Sequence, residues 1–403
     1  MPVTLPVEVW RFILNIAIRD VDEDAFKTRW DSDPDDRLWK GWTKTSYDDQ
    51  DQETAILYKS RVEMGQNIIR VCRVWHSIGV ELVHEIIQLV GWYSDQRLAA
   101  ILSSFEASTS SDPVGRGYGR WTKRIDFDVM LFAAEGTEDH FCKLLSLCHN
   151  LTTLICRARR DSTSVPSQIH LRIVQLLESR FPNTFRRLDW QASIDFTIDS
   201  SPLPIAPTLP LTSLDIEARI LPPQIARELV TTLILRPPYG APPDALSPEW
   251  NFPNLQHLAL VYIGDRDVEP MTPFVRQHAN TLQSLALRSR YDNRTICVDI
   301  SDLIHSATQL KALVIRDVDM VMLYPPAIFH TITHVGIIGI ENPYPAAATP
   351  GPASALKHGL FPSLKCLQLL ELEAPIGSYH PYGVVLGECE GLGITVRQVV
   401  DRS

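Results

Sequence analysis

The sequence predicts an α/β chain whose larger part is an irregular solenoid, with a curved parallel sheet on the concave face and helices and loops on the convex face. Three observations predict it. A six-residue phrase, apolar-x-x-apolar-x-apolar, recurs from residue 151 to the C-terminus. Segments of helical periodicity stand between its copies, and the first ninety residues follow neither pattern. The phrase reads LTTLIC at Leu151, FRRLDW at Phe185, LTSLDI at Leu211, VTTLIL at Val230 and LQHLAL at Leu255. It continues as LQSLAL at Leu282, LKALVI at Leu310, ITHVGI at Ile332, LKCLQL at Leu364 and, in weaker form, CEGLGI at Cys389.

Each copy makes a short strand whose fourth and sixth residues point one way while its third and fifth point the other. One such strand cannot bury its apolar side alone, whereas a stack of them buries a continuous core. Between the strands, helical spacing predicts helices at 96–107, 137–147, 168–180, 222–229, 268–279 and 301–308, and a degenerate first strand falls at Lys123–Phe127. The repeat length runs from 19 residues (Leu214 to Leu233) to 34 (Leu154 to Leu188). Proline-rich interruptions at 202–210, 237–248 and 343–352 read as surface loops. No asparagine follows the phrase at the place a regular ladder needs it; Arg159, Ser193 and Arg219 stand there instead.

At 403 residues and 45% hydrophobic content the chain has ample material for such a core. Its formal charge of −10 offers no basic stripe with which to displace counterions from phosphates, so nucleic acid is not expected as a partner. The seven cysteines form no C-x-x-C pair and read as small hydrophobes of a reducing compartment. The opening MPVTLPVEVW lacks the basic and apolar regions of a signal peptide, and no apolar stretch is long enough for a membrane span. A cytoplasmic or nuclear location is expected, which makes the sequons at Asn150 and Asn293 incidental.

Residues 1–90 form a separate helical module preceding the solenoid at 91–403. Leu5-Pro6-Val7-Glu8-Val9-Trp10 opens a helix: a proline in the first turn has no donor to lose, and Glu8 suits the positive end. Residues 20–64 form an acidic insertion, with thirteen Asp/Glu against seven Lys/Arg. Helical pattern resumes at Asn67 and is expected to run to Val90 through NIIRVCRVWHSIGVELVHEIIQLV. Its apolar residues cover more than one face.

The phrases LPVEVWRFIL and VCRVWHSIGVELVHEII together resemble the F-box-like domain, a three-helix module that grips a Skp-type adaptor. The whole chain is similar to the F-box-like proteins with degenerate leucine-rich repeats found in mushroom-forming fungi. The resemblance implies adaptor contacts at Leu5, Pro6, Val9, Ile13, Leu14, Cys72 and Trp75. It implies the substrate-recognition subunit of a Skp–cullin–F-box ubiquitin ligase, joined to a cullin through the adaptor and holding a target protein on the solenoid. The insertion of about 45 residues between the two phrases keeps a second reading open. In that reading the chain is an adaptor-independent interaction scaffold whose N-terminal helices only cap the solenoid.

On the solenoid, the positions just after the phrase include Arg236, Arg288 and Arg316, with His257 on a parallel column. Neighbouring strands lie about 4.8 Å apart, so these residues are candidates for holding a carboxylate or phosphorylated segment of the target. Ala259, Ala286 and Val314 mark a second column, expected to form a shallow apolar trough. His140, Cys142, Cys148, His149 and Cys156 match no structural zinc spacing and are read as packing residues. Gly115, Gly117 and Gly119 form neither a dinucleotide nor a phosphate-binding loop, and no catalytic motif is present. The sequence therefore predicts neither an enzyme nor a cofactor or metal site.

Overall fold

The computed structural model describes residues 6–19, 62–90, 93–112, 116–157, 165–190, 194–195, 209–217, 228–236, 250–262, 265–289, 300–316, 328–338, 355–372 and 383–400. Leu5, the insertion up to residue 61, and all but the end of the predicted helix at 222–229 lie outside them. The chain is α/β, with a twelve-stranded sheet whose strand order follows chain order. The described residues fall into two compact units, one running to Leu214 and the other from Asp215 onward.

The first unit opens with α1 (Val7–Arg19), α2 (62–69) and α3 (Arg73–His84). It continues with strands β1 (Ile86–Leu89), β2 (Arg124–Asp128), β3 (Thr153–Arg157) and β4 (Arg187–Trp190). Strand β5 (Ser213–Glu217) begins in this unit and has its last three residues in the second. The expectation of helix through Val90 is corrected here: α3 stops at His84, and Ile86–Leu89 is a strand that pairs in parallel with β2. The run Ile86-Ile87-Gln88-Leu89-Val90 is rich in β-branched residues, which lose rotamer freedom in a helix and pack well on a pleated surface. Helices α4 (Ser94–Ser111), α5 (Thr137–Leu147) and α6 (Ser167–Arg180) fill the intervals. Parallel register aligns Ile87, Ile125, Leu154 and Leu188, all buried. Phe127 lies beside Phe132, Phe141 and Trp190, with ring centroids 4.7–5.9 Å apart.

In the second unit β6 (Thr232–Arg236), β7 (His257–Tyr262), β8 (Ser284–Ser289) and β9 (Ala312–Arg316) continue the pattern. They are followed by β10 (His334–Ile338), β11 (Cys366–Leu372) and β12 (Thr395–Val400). Helices α7 (Asp265–Gln277), α8 (Ser301–Ser306) and α9 (Gly383–Gly391) connect some of them. The register runs through Leu233, Leu258, Leu285, Leu313, Val335 and Leu367 to Val396. All but Val396 are buried, and full burial of such an aliphatic side chain contributes about 1.5–3 kcal/mol. The last copy of the phrase is four residues later than CEGLGI suggests. Cys389 lies in the last turn of α9, Gly393 takes φ +70, and the Ile394 N–H closes onto the Cys389 carbonyl at 2.9 Å. The helix thus consumes the apparent phrase, and Leu392 is left exposed.

A different ladder replaces the missing asparagines. At most repeats, Thr152, Thr231, Gln256 and Thr333 among them, the carbonyl of the second-position residue accepts two backbone N–H groups from the next repeat. Lys311 O receives Thr333 N and His334 N at 2.8 and 3.1 Å, and Gln283 O receives Lys311 N and Ala312 N in the same way. In the first unit Thr152 O receives Arg186 N and Arg187 N at 2.8 and 3.1 Å. Two asparagines immediately before the phrase reinforce it: Asn150 Nδ2 donates to Arg120 O and Asn254 Nδ2 to Glu228 O, both at 2.6 Å. Satisfying these edge carbonyls through the backbone tolerates almost any side chain at the second position. That tolerance is why the repeats look degenerate in sequence.

Candidate interaction surfaces

The N-terminal helices form a small core of their own. Leu14 from α1, Ile68 from α2 and Ile78 and Leu82 from α3 are buried together, with Trp10 and Trp75 packed against them. The two indole rings meet at 4.9 Å with planes tilted by 59°. Close approach of α2 and α3 depends on two glycines. A Cβ at Gly65 would fall 2.2 Å from Val83 Cγ2, and one at Gly79 would fall 2.6 Å from Ile69 Cγ2.

Two local devices fix the helix starts. The Pro6 carbonyl accepts N–H groups from Val9 and Trp10 at 3.1 Å, and the Cys72 thiol caps α3 by accepting from Trp75 N at 3.5 Å. Cys72 is the N-cap residue itself, with extended backbone (φ −160), as a cap requires. The Cys-x-x-Trp spacing therefore has a local structural meaning. Its cysteine starts the helix, and its tryptophan sits one turn in and packs on Trp10.

Leu14, Trp10 and Trp75 face inward with Ile78 and Leu82, while several other described apolar residues at this end of the module face solvent. Val9 and Ile13 of the predicted adaptor set are exposed, at 38% and 39%, and Pro6 and Cys72 are exposed as well. Trp75 is half-buried, and Leu14 is 3% exposed, a core residue of the module. Four exposed residues that the motif did not point to join the set: Val7, Phe12 (66%), Val71 (59%) and Val74. The signal for them was present, since apolar residues on more than one face of a short helix exceed what one core can take. Arg11 and Glu81 tie α1 to α3 by an ion pair at 3.0 Å that is open to solvent and worth little.

The other end of α3 serves the sheet. His84 stacks on Tyr118 at 4.8 Å and meets Phe105 edge-on, and its carbonyl accepts the Thr122 hydroxyl at 2.9 Å. The Glu85 carbonyl receives Lys123 N and Arg124 N, as the first rung of the backbone ladder. Burial lowers the His84 imidazole to about 4, so it stays neutral.

The strand faces divide by unit. In the first unit the fifth-position column carries Gln88, Asp126, Ile155 and Asp189, all buried. Asp126 accepts Arg124 Nε and Nη2 at 2.6 and 2.7 Å and Arg157 Nη2 at 3.1 Å. Burial by itself would raise its carboxyl; the charges and hydrogen bonds of Arg124 and Arg157 outweigh burial and hold it below the usual carboxylate range. Asp189 pairs with Arg187 through two Nε contacts at 3.0 and 3.1 Å and a third from Nη2. The signal is Arg-x-Asp within a strand, where period two puts both side chains on one face.

In the second unit, register places Arg288 beside Val261 and Arg316 beside Ile338, with Arg236 at the end of β6. The side chains of these three arginines lie outside the described set. His257 pairs with Thr232 and Ser284 and is half-buried. Ala259, Ala286 and Val314 are buried, so the expected trough is corrected: these residues are interior and offer no surface. A polar recess of about 260 Å³ lies along one edge of the sheet, lined by Asn254, Gln256, Asn280, Thr281, Gln283, Gln309 and Lys311. Its lining holds no carboxylate, imidazole or thiol.

Cys142, Cys148 and Cys156 are buried, and burial pushes the Cys148 thiol up to about 12, so it is an inert packing group. Among the described residues no helix is long and apolar enough to cross a membrane.

No protein-family model matches the chain. No curated protein matches it. Among solved structures, the complex of Rad7 and Elc1 in yeast is similar at a TM-score of 0.33 and 12% identity, over 70% of this chain and 77% of that one.

Proposed function

We propose that the chain is the substrate receptor of a Skp–cullin–F-box ubiquitin ligase, docking a Skp-type adaptor through α1 and the start of α3 and holding a target protein on the strand array. One observation carries this reading: Val7, Val9, Phe12, Ile13, Val71 and Val74 stand exposed on helices whose inner stripe is already closed into a core. Apolar exposure concentrated in one small module marks an interaction site. The motif resemblance supplies the adaptor as its occupant. The chain carries no ubiquitin-transfer chemistry of its own; its contribution is to bring the target close to the transferring subunits. It acts without cofactor or metal.

The scaffold reading draws support from the contacts of His84 and Glu85, which close the first strand. Among the described residues the capping contacts named here come from the C-terminal end of α3, and they leave the exposed apolar residues without a role. The test is co-purification of a Skp-type adaptor with the full chain and with Val9→Asp/Phe12→Asp. The native chain is expected to capture adaptor and the variant to lose it while keeping its circular dichroism. Equal capture by both would contradict the proposal.

A further inference from the structure

The apolar corner formed by α1 and the start of α3 has a basic border. Between Arg70 and His76 every residue except Trp75 is exposed, and the run Arg70-Val71-Cys72-Arg73-Val74 alternates cation with apolar or small side chains and contains no acid. Among the described residues neither Arg70 nor Arg73 has an ion-pair partner, whereas Arg11 on α1 is paired with Glu81. The first turn of α3 likewise carries no acidic residue. In a chain of net charge −10, this is a local reversal of sign placed directly beside Val71 and Val74.

Resting on the adaptor reading, we infer that the partner surface is an apolar cleft edged by carboxylates, which Arg70 and Arg73 receive. Guanidinium groups match carboxylates bidentately and are more weakly hydrated than ammonium groups, so they suit the border of an apolar contact. Such border charges act on encounter: they orient an acidic partner as it approaches a chain whose overall charge would repel it. Val7, Val9 and Phe12 then supply the area that holds the complex, and Arg70 with Arg73 set its register. An uncharged or basic partner surface gains nothing from this border.

The experiment measures association of a purified Skp-type adaptor with the full chain, with Arg70→Glu/Arg73→Glu and with Arg70→Lys/Arg73→Lys. Salt is set at about 50 mM and about 500 mM, well below and above the screening that border charges survive. At low salt the reversed-charge variant is expected to bind about tenfold more weakly, chiefly through slower association, and the gap should close to about twofold at high salt. The lysine variant should stay within about threefold of native, because charge is kept. Native-like affinity of the reversed-charge variant at low salt would overturn this inference and leave the adaptor reading standing. Absence of adaptor binding by the native chain at both salts would remove the adaptor reading, and this inference with it.

Discussion

Phe12 on α1 is two-thirds exposed, while Asp126 on β2 is fully buried. The helical module holds apolar side chains out to solvent, and the neighbouring strands keep charged ones inside. Elementary burial preferences run the other way in both places. A buried carboxylate persists because Arg124 and Arg157 neutralise it and fill its hydrogen-bonding capacity, which makes it a feature of the scaffold. Exposed valines and a phenylalanine have no such compensation within the described residues. That asymmetry separates what holds the molecule together from what is available to a partner.

Removing the buried carboxylate from the strands should have the largest effect. Asp126→Ala strands two arginines in the interior and is expected to cost about 3–5 kcal/mol of unfolding free energy. A shift of less than about 1 kcal/mol in urea denaturation would show that the arginines find other partners. Next comes the module core. Ile78→Ala, removing a side chain that is 1% exposed, should cost about 2–5 kcal/mol, whereas Phe12→Ala on the outer face should stay within about 0.5 kcal/mol. Similar costs for the two would erase the distinction between inner and outer faces.

Acid sharpens the contrast further. His170 is fully buried against Trp190 at 4.4 Å, neither ring nitrogen has a hydrogen-bond partner among the described residues, and burial lowers it to about 3. Its folded pKa lies below the unfolded value of 6.5, so the unfolded chain binds the extra proton between those limits. Stability from the neutral ring is therefore complete above about pH 6.5 and declines as pH falls toward 3, by an amount on the order of a few kcal/mol. His170→Phe should flatten thermal midpoints measured between pH 6.5 and 4; an unchanged slope would assign acid sensitivity elsewhere. A smaller effect than in the core is expected at the repeat edge, where Asn254→Ala removes one hydrogen bond to Glu228 O and should cost about 1 kcal/mol.

Much of the array was legible in the sequence because the phrase encodes period-two alternation directly. Strands at Arg124, Thr153, Arg187 and onward stand where the phrase puts them. Two strands escaped this reading. Ile86–Leu89 continues an apolar helical pattern without a break, and CEGLGI satisfies the phrase while its residues end a helix. The backbone ladder could not be seen at all, since carbonyls bonded to N–H groups leave no side-chain signature. At the N-terminal corner the motif pointed to Val9, Ile13 and Cys72, which are exposed, and to Leu14, which is buried. Periodicity reports that a helix has two apolar faces; which of them meets the core depends on where Trp75 docks on Trp10.

Amide hydrogen exchange on the full chain, with and without a Skp-type adaptor, distinguishes docking at the exposed corner from docking on the strand array. Added protection confined to residues 6–14 and 70–76 is the predicted result. Protection on the strand segments instead, or on none of the chain, would contradict it.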